Sequence, residues 1–276
     1  SGEDVYRSLW AQVNALLPEG ALDGFSRFTV FTDGLDETLA YVSPLDDTGT
    51  RWELAVDPAD AGELDWFTET VLHEYTHYLT LNDTQADYGA PESGARYCEE
   101  GMVARSGSYL DDFYHTFWTD YLHDRLANPD SYGFYLRHQA DFVTDYASTD
   151  PSEDIAESFT YFVLWDAPEG DAVWEEKLNF FYRYPELVEF RTQARALADQ
   201  RAEAPGGPGA ERPLLPGEGV GQGQLVGVEA QAAQRAGGRA VVPVSRHGAA
   251  QLAQVGADLV LAPGVDVHLQ QGVLPP

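Results

Sequence analysis

The sequence predicts an α+β fold in which a small antiparallel sheet precedes a mostly helical part. Short runs rich in β-branched and aromatic residues, separated by turn signals, are confined to residues 25–57. Longer segments with apolar residues at helical spacing occupy much of residues 60–203. The chain has 276 residues, of which 12% are aromatic, so it can form a sizeable hydrophobic core.

The N-terminal part is predicted to contain one helix and three strands. Residues 3–17 place aliphatic side chains on one helical face, and Pro18 follows them. Three strands are predicted, at residues 25–32, 38–43 and 51–57. Turn signals separate them, so we expect an antiparallel meander. The third strand alternates apolar and polar residues, as a half-buried strand does.

The chain from residue 60 to residue 203 is predicted to be mainly helical. Apolar spacing indicates helices at residues 60–81, 108–126, 134–143, 151–165, 171–182 and 185–203. Residues 84–107 contain four glycines and one proline, so we expect a long loop or loosely structured insertion there. Cys98 in this insertion is the sole cysteine of the chain, which excludes an intramolecular disulfide.

The composition changes near Ala204. Residues 205–276 contain no Phe, Tyr or Trp, and they carry only five of the 46 acidic residues. We therefore predict one domain at residues 1–204. Residues 205–276 are predicted to be a Gly-, Pro- and Ala-rich tail, either disordered or forming a small accessory segment. We expect this tail to be dispensable for any activity of the domain.

The charge balance limits the partners of the chain. Its 46 acidic and 16 basic residues give a net charge of −30, which argues against binding to nucleic acid or to anionic membrane surfaces. No run of 18 apolar residues exists, so we expect no membrane span. An acidic surface suits a protein that stays soluble in salt or that meets cationic partners.

One helical segment contains the motif His-Glu-x-x-His, as His73, Glu74 and His77. The two histidines lie four residues apart on a helix, so they share one face and can reach the same Zn²⁺. Glu74 points about 100° away from His73, where it can contact a water on the metal without being a ligand. Apolar residues flank the motif, and burying two histidines and a glutamate without a partner would be costly. The motif is typical of zinc peptidases.

A zinc peptidase requires a third protein ligand, for which the chain offers several candidates. Asp83 lies six residues after His77, but the glycine that would turn the chain towards it is replaced by Thr80. Three further histidines have no motif around them and are better explained as partly buried structural residues: His115, His123 and His138.

Glu153 is the candidate that the sequence favours. It lies at the third position of a helix predicted to begin at Asp150 and Pro151, and Glu157 follows one turn later on the same face. A capping box with Asp150 would explain Glu153 alone, but it would not explain Glu157 within an apolar run. A metal ligand followed by a carboxylate that hydrogen-bonds a ligand histidine explains both residues.

Together, these segments resemble the gluzincin zinc peptidases, and most closely their lethal-factor-like group. That group has a Tyr seven residues before the Glu ligand and a second Glu four residues after it, which correspond here to Tyr146 and Glu157. The resemblance implies a zincin-like fold with Zn²⁺ bound by His73, His77 and Glu153. It also implies that Glu74 is the general base and that Tyr146 stabilises the oxyanion. It covers residues 66–81 and 142–162 only.

The expected function is therefore that of a zinc metalloendopeptidase acting on a peptide or protein substrate. The strand at residues 51–57 could pair with an extended substrate if it lies at the edge of the sheet. We expect a secreted or cell-envelope bacterial protein, although this chain contains no signal peptide. The alternative is a zinc-stabilised binding module that has lost turnover, and the intact Glu74 argues against it. Cell-wall peptides and proteins both remain open as targets.

Overall fold

The structure is a computed structural model that describes residues 2–32, 38–59, 61–92, 96–99, 101–128, 130–203, 259–261 and 265–269. The helices are α1 (Gly2–Leu16), α2 (Leu64–Leu81), α3 (Tyr109–Phe117), α4 (Leu122–Ala127), α5 (Ser131–Arg137), α6 (Pro151–Leu164), α7 (Val173–Phe180) and α8 (Pro185–Glu203). The strands are β1 (Phe25–Val30), β2 (Ala40–Pro44), β3 (Trp52–Val56), β4 (Ala86–Asp87), β5 (Cys98–Glu99), β6 (Met102–Ala104), β7 (Leu259–Leu261) and β8 (Val265–Leu269). The predicted α+β class is confirmed. Within these residues no helix has both the length and the apolar character needed to cross a bilayer.

The main sheet has the strand order β2-β3-β1-β8-β7. Strand β3 is antiparallel to β2 but parallel to β1, so the predicted antiparallel meander is wrong. The turn signals locate the three strands correctly along the chain, but they do not encode which strands become neighbours. Strand β3 lies between β1 and β2 and pairs with both of them.

Two strands of the sheet come from the C-terminal part of the chain. Strand β8 pairs in parallel with β1, from Arg27 opposite Asp266 to Val30 opposite Leu269, and β7 pairs antiparallel with β8. The remainder of residues 205–276 lies outside the described residues. The division of the chain near Ala204, and the dispensability of the tail, therefore stay predictions.

The insertion at residues 84–107 contains a small sheet, where the sequence predicts a loop. Its strands are antiparallel and have the order β4-β6-β5. Gly101 lies between β5 and β6 with a φ of 87°, a left-handed conformation that glycine adopts without strain. Strands of two or three residues are too short for an alternating pattern to be visible in the sequence.

Two predicted helices are also corrected. The helix expected at residues 108–126 is divided into α3 and α4, and the one expected at 134–143 is α5, which ends at Arg137. The break after α3 falls at Trp118, which is fully buried and donates a hydrogen bond from Nε1 to Asp154 Oδ2 at 2.7 Å. This tertiary contact overrides the continuous helical pattern of the local sequence.

Helix α2 lies between the main sheet and α6. On the sheet side, the ring of Tyr78 contacts Phe25 at a centroid distance of 4.6 Å and Trp52 at 5.8 Å. On the other side, α2 packs along α6, and Phe190 of α8 stacks on Tyr75 at 5.0 Å. Because α2 is buried on both sides, the motif residues that it carries are held inside the core.

A buried ion pair anchors α6 next to Glu153. Lys177, the sole lysine of the chain, and Asp154 are both fully buried, and Nζ lies 2.6 Å from Oδ2. The ammonium group also lies 3.7 Å from the ring centroid of Phe142, in cation–π geometry. These contacts join α6 and α7 to the segment that leads to Tyr146.

We predict that Lys177→Met destabilises the fold by about 3–5 kcal/mol, because it leaves the Asp154 carboxylate buried without a counter-charge. Urea unfolding of the metal-free protein measures the change. Arg7→Met is the matched control, since Arg7 and Glu3 form an exposed pair at 2.8 Å whose loss should cost less than about 1 kcal/mol. An equal effect of the two substitutions would contradict the proposed importance of the buried pair.

Candidate metal centre

Helices α2 and α6 bring together the three residues that the sequence predicts as metal ligands. His73 Nε2 lies 3.0 Å from His77 Nε2 and 3.0 Å from Glu153 Oε2, and His77 Nε2 lies 3.3 Å from the same carboxylate oxygen. All three side chains are buried. Among the described residues, this is the one group of three potential ligands with the spacing for a metal ion.

The local sequence explains why Glu153 faces the histidines. The Asp150 side chain caps α6 by accepting hydrogen bonds from the backbone N–H groups of Ser152 and Glu153 at 2.8 and 3.0 Å. Pro151 occupies the first turn, as predicted. The Glu153 carboxylate points to His73 and His77, so the capping-box alternative does not account for its position.

Glu157 holds His73 as the sequence predicts. Its Oε1 lies 2.7 Å from His73 Nδ1, and its Oε2 accepts a hydrogen bond from Thr144 Oγ1 at 2.7 Å. When His73 is neutral, as a metal ligand must be, the carboxylate keeps the proton on Nδ1 and leaves the Nε2 lone pair for an ion between Glu153 and His77. Thr144 had no motif around it in the sequence, and only the fold reveals its role.

The three donor atoms fit a single small divalent cation. Tetrahedral ligands at about 2.0–2.1 Å from such an ion lie about 3.3 Å from one another, which is close to the three measured separations. Two nitrogen lone pairs and a carboxylate oxygen at these distances repel one another unless a cation or a proton lies between them. The site is therefore suited to holding a metal ion.

The charges around the site shift the pKa values of its metal-free form. Burial raises the pKa of Glu153, but the charge of His77 and a hydrogen bond from His73 outweigh it and lower the pKa to about 2. Burial lowers the pKa of His73, but hydrogen bonds to Glu153 and Glu157 outweigh that and raise it well above its usual value. Glu153 is thus a carboxylate at neutral pH, the form that binds a cation.

Glu74 lies at the border between the site and the edge of the main sheet. Its side chain is 3% exposed, and the backbone N–H of Val42 in β2 donates a hydrogen bond to its carboxylate. Burial raises the pKa of Glu74, while the charges of His77 and His73 lower it in part. The contact with Val42 had no sequence signal, because it depends on where β2 lies.

The strand that faces the site is β2, and not the predicted segment 51–57. Strand β3 is paired on both sides, whereas β2 forms one edge of the sheet. Leu39 and Leu45, which flank β2, are hydrogen-bonded to the chain at either end of β3. In an antiparallel ladder the residues of odd number in β2 therefore face β3, and the backbone groups of Ala40, Val42 and Pro44 point outward.

Tyr146 lies beside the predicted ligands on a short 3-10 helix, Tyr146–Ser148. Its ring centroid is 5.8 Å from that of His73. Burial raises its pKa strongly, and the charges of Glu153 and Glu74 raise it further. Tyr146 is therefore a phenol at neutral pH and can donate a hydrogen bond.

The other candidate ligands lie outside the cluster of His73, His77 and Glu153. Asp83 and His123 are exposed. His115 contacts the Asp111 carbonyl oxygen of its own helix at 2.8 Å, and His138 contacts Asp141 at 3.1 Å. The favoured assignment of Glu153 thus agrees with the geometry of the described residues.

No protein-family model matches the sequence, and neither a curated protein nor a solved structure is similar enough to match it.

We predict that Glu153→Ala loses most of the bound metal, because it removes the charged ligand of the site. Elemental analysis after dialysis against limiting Zn²⁺ measures the metal content, and circular dichroism checks the fold. Asp83→Ala is the matched control and should bind as the parent does. If Glu153→Ala retained all of its metal and Asp83→Ala lost it, the third ligand would be Asp83 and not Glu153.

Proposed function

We propose that the protein is a zinc-dependent metallopeptidase of the gluzincin type with a zincin-like fold. One observation carries the proposal: two histidines and Glu153 converge on one point while Glu74, inside the same motif, is directed to the sheet edge instead. Two His and one Glu are a ligand set of catalytic zinc sites, which keep a fourth position open. A purely structural zinc site has no need of a buried, non-ligating carboxylate at that position.

Zn²⁺ bound by these ligands would lower the pKa of a water molecule towards 7 and polarise the scissile carbonyl. Glu74 accepts the proton of the attacking water and later delivers it to the leaving amine. The pKa of Glu74 is raised towards neutral pH. A pKa near the working pH makes it easier for the carboxylate to accept the proton and for the carboxylic acid to release it. The hydrogen bond from the Val42 N–H keeps the carboxylate at the sheet edge, next to an incoming peptide.

Tyr146 donates a hydrogen bond from its phenolic hydroxyl to the oxyanion that develops on the substrate carbonyl. The raised pKa supports this role, because the hydroxyl stays protonated throughout the working pH range. One such donor is typically worth about 10²–10³ in rate. The hydrogen bond between the Tyr146 hydroxyl and Glu153 supports a donor on the metal side of the substrate.

The outward edge of β2 is the proposed binding strand for an extended peptide. The backbone groups of Ala40 and Val42 point to this edge, but the two residues are 2% and 0% exposed, so a substrate strand can pair with them only after it displaces the groups that cover them. Pro44 lacks an N–H, so regular pairing weakens at that end. The substrate is thus proposed to be a peptide segment in extended conformation, and a secreted or cell-envelope location is part of the proposal.

We predict that Glu74→Gln keeps its zinc and its fold but loses at least about 10²–10⁴-fold in kcat, because an amide cannot accept the water proton. Tyr146→Phe should lose about 10²–10³-fold. Cleavage of a broad peptide library by the zinc-loaded proteins measures both effects. The losses should fall mainly on kcat, since both residues serve the transition state.

Tyr182→Phe is the control for Tyr146→Phe, because Tyr182 is an exposed tyrosine outside the site. It should cleave as the parent does. Equal turnover by Glu74→Gln and the parent would refute the mechanism. A zinc-loaded parent that cleaves no peptide would favour the binding module over the enzyme.

A further inference from the structure

The Thr144 side chain contacts two parts of the proposed site at once. Its Oγ1 donates a hydrogen bond to Glu157 Oε2 at 2.7 Å and accepts one from the backbone N–H of Ala147 at 3.0 Å. Glu157 lies on α6, and its other carboxylate oxygen contacts His73. Ala147 directly follows Tyr146 on the 3-10 helix. One hydroxyl group thus joins the carboxylate behind a predicted metal ligand to the turn that carries the predicted oxyanion donor.

The direction of each hydrogen bond follows from the groups involved. A backbone N–H can only donate, so Thr144 Oγ1 is the acceptor towards Ala147, and its single proton remains for the Glu157 carboxylate. The carboxylate accepts that proton's hydrogen bond on Oε2, while Oε1 lies 2.7 Å from His73 Nδ1. Because both oxygens of Glu157 have a partner, the carboxylate group is held in one orientation behind the histidine ring.

The turn that carries Tyr146 depends on the same hydroxyl. Ala147 is fully buried, so its N–H requires an acceptor inside the protein, and Thr144 Oγ1 supplies it. The two neighbouring N–H groups of the turn bond to Asp145: that of Tyr146 to Oδ1 at 3.0 Å, and that of Ser148 to the carbonyl oxygen at 3.1 Å. Of these three contacts, the one with Thr144 is therefore the one that also ties the turn to α6.

We propose that Thr144 is a positioning residue that couples the metal ligand His73 to the oxyanion donor Tyr146. Its hydroxyl holds the Glu157 carboxylate against His73, and it sets the position of the Tyr146 turn relative to α6. The inference rests on the proposed function for the two roles that it couples. Its effect on the metal requires only zinc binding by His73 and does not require peptide cleavage.

Loss of the hydroxyl has a consequence that a merely structural role would lack. A carboxylate behind a ligand histidine makes the ligating nitrogen more basic, and its loss typically weakens metal binding about 10–100-fold. Thr144 acts one hydrogen bond further out, and a hydrogen bond to a charged group is worth about tenfold or more in an equilibrium constant. A purely structural threonine would affect the stability of the metal-free protein and leave the zinc affinity of the folded protein unchanged.

The test compares Thr144→Val, which removes the hydroxyl, with Thr144→Ser, which keeps it. Thr192→Val is the matched control, because Thr192 is exposed and donates its hydroxyl proton to a carbonyl of its own helix. Competition with a chromophoric chelator gives the zinc affinity of each folded protein. We expect Thr144→Val to bind zinc about tenfold more weakly than the parent, and Thr144→Ser and Thr192→Val to bind as the parent does.

A double-mutant cycle tests the route through the carboxylate. Glu157→Ala alone should weaken zinc binding about 10–100-fold. If Thr144 acts through Glu157, the protein with both Thr144→Val and Glu157→Ala should bind zinc as Glu157→Ala does, to within about twofold. Losses that simply add would show that Thr144 does not act on the metal through Glu157, and this result would overturn the coupling.

A second measurement follows the turn of Tyr146. At saturating zinc, we expect the kcat of Thr144→Val to fall about 10–100-fold with little change in KM, because the oxyanion donor is misplaced. The Ala147 amide proton should exchange faster in Thr144→Val than in Thr144→Ser, since it has lost its acceptor. Unchanged kcat together with unchanged exchange of this amide would overturn the link to Tyr146.

The outcomes distinguish this inference from the proposed function. A parent that binds no zinc overturns both. A parent that binds zinc but cleaves no peptide contradicts the proposed function, and the zinc affinities and the Ala147 amide exchange then decide on Thr144. An active parent, with Thr144→Val equal to it in zinc affinity and in kcat, overturns only the role of Thr144.

If Thr144→Val does not fold, Thr144→Ala takes its place in the same assays. The zinc-loaded parent then gives an independent result by NMR. Its Thr144 hydroxyl proton should be protected from exchange with solvent, because it is donated to a carboxylate. A Thr144 hydroxyl proton that exchanges as fast as that of an exposed threonine would overturn the inference.

Discussion

The fold depends on histidine and glutamate side chains that are buried together between α2 and α6. Two imidazoles and the Glu153 carboxylate meet inside the core, with Glu157 behind one imidazole and Glu74 on the sheet side. Burying such groups is costly unless each is paired, and pairing them fixes the distance and rotation of the two helices. A cation at their meeting point would contribute to folding as well as to chemistry, because the unfolded chain has no such site.

The surrounding helices and the sheet hold the residues of this site in place. Asp150 caps the first turn of α6, which carries Glu153. The ion pair of Lys177 and Asp154 fixes the position of the same turn. The sheet contributes β2, whose outward edge contacts Glu74. The ligands are thus held by rigid elements on every side, as a site needs if it is to bind a metal without large rearrangement.

The sequence predicted the parts of the site that depend on local patterns. The spacing of His73 and His77, the cap at Asp150 and the offset to Glu157 are all short-range signals that a helix converts into geometry. The order of the strands and the contact of Val42 with Glu74 depend on pairing between distant segments. Turn signals and alternation carry no information about partners, which is why the meander and the edge strand were predicted wrongly.

The proposed site requires a metal held by two imidazoles and one carboxylate, and X-ray absorption at the zinc edge of the zinc-loaded protein tests this most directly. We expect a first shell of nitrogen and oxygen at about 2.0–2.1 Å, with outer-shell scattering from two imidazole rings. A sulfur atom at about 2.3 Å, or scattering from three imidazoles, would contradict the assignment of His73, His77 and Glu153.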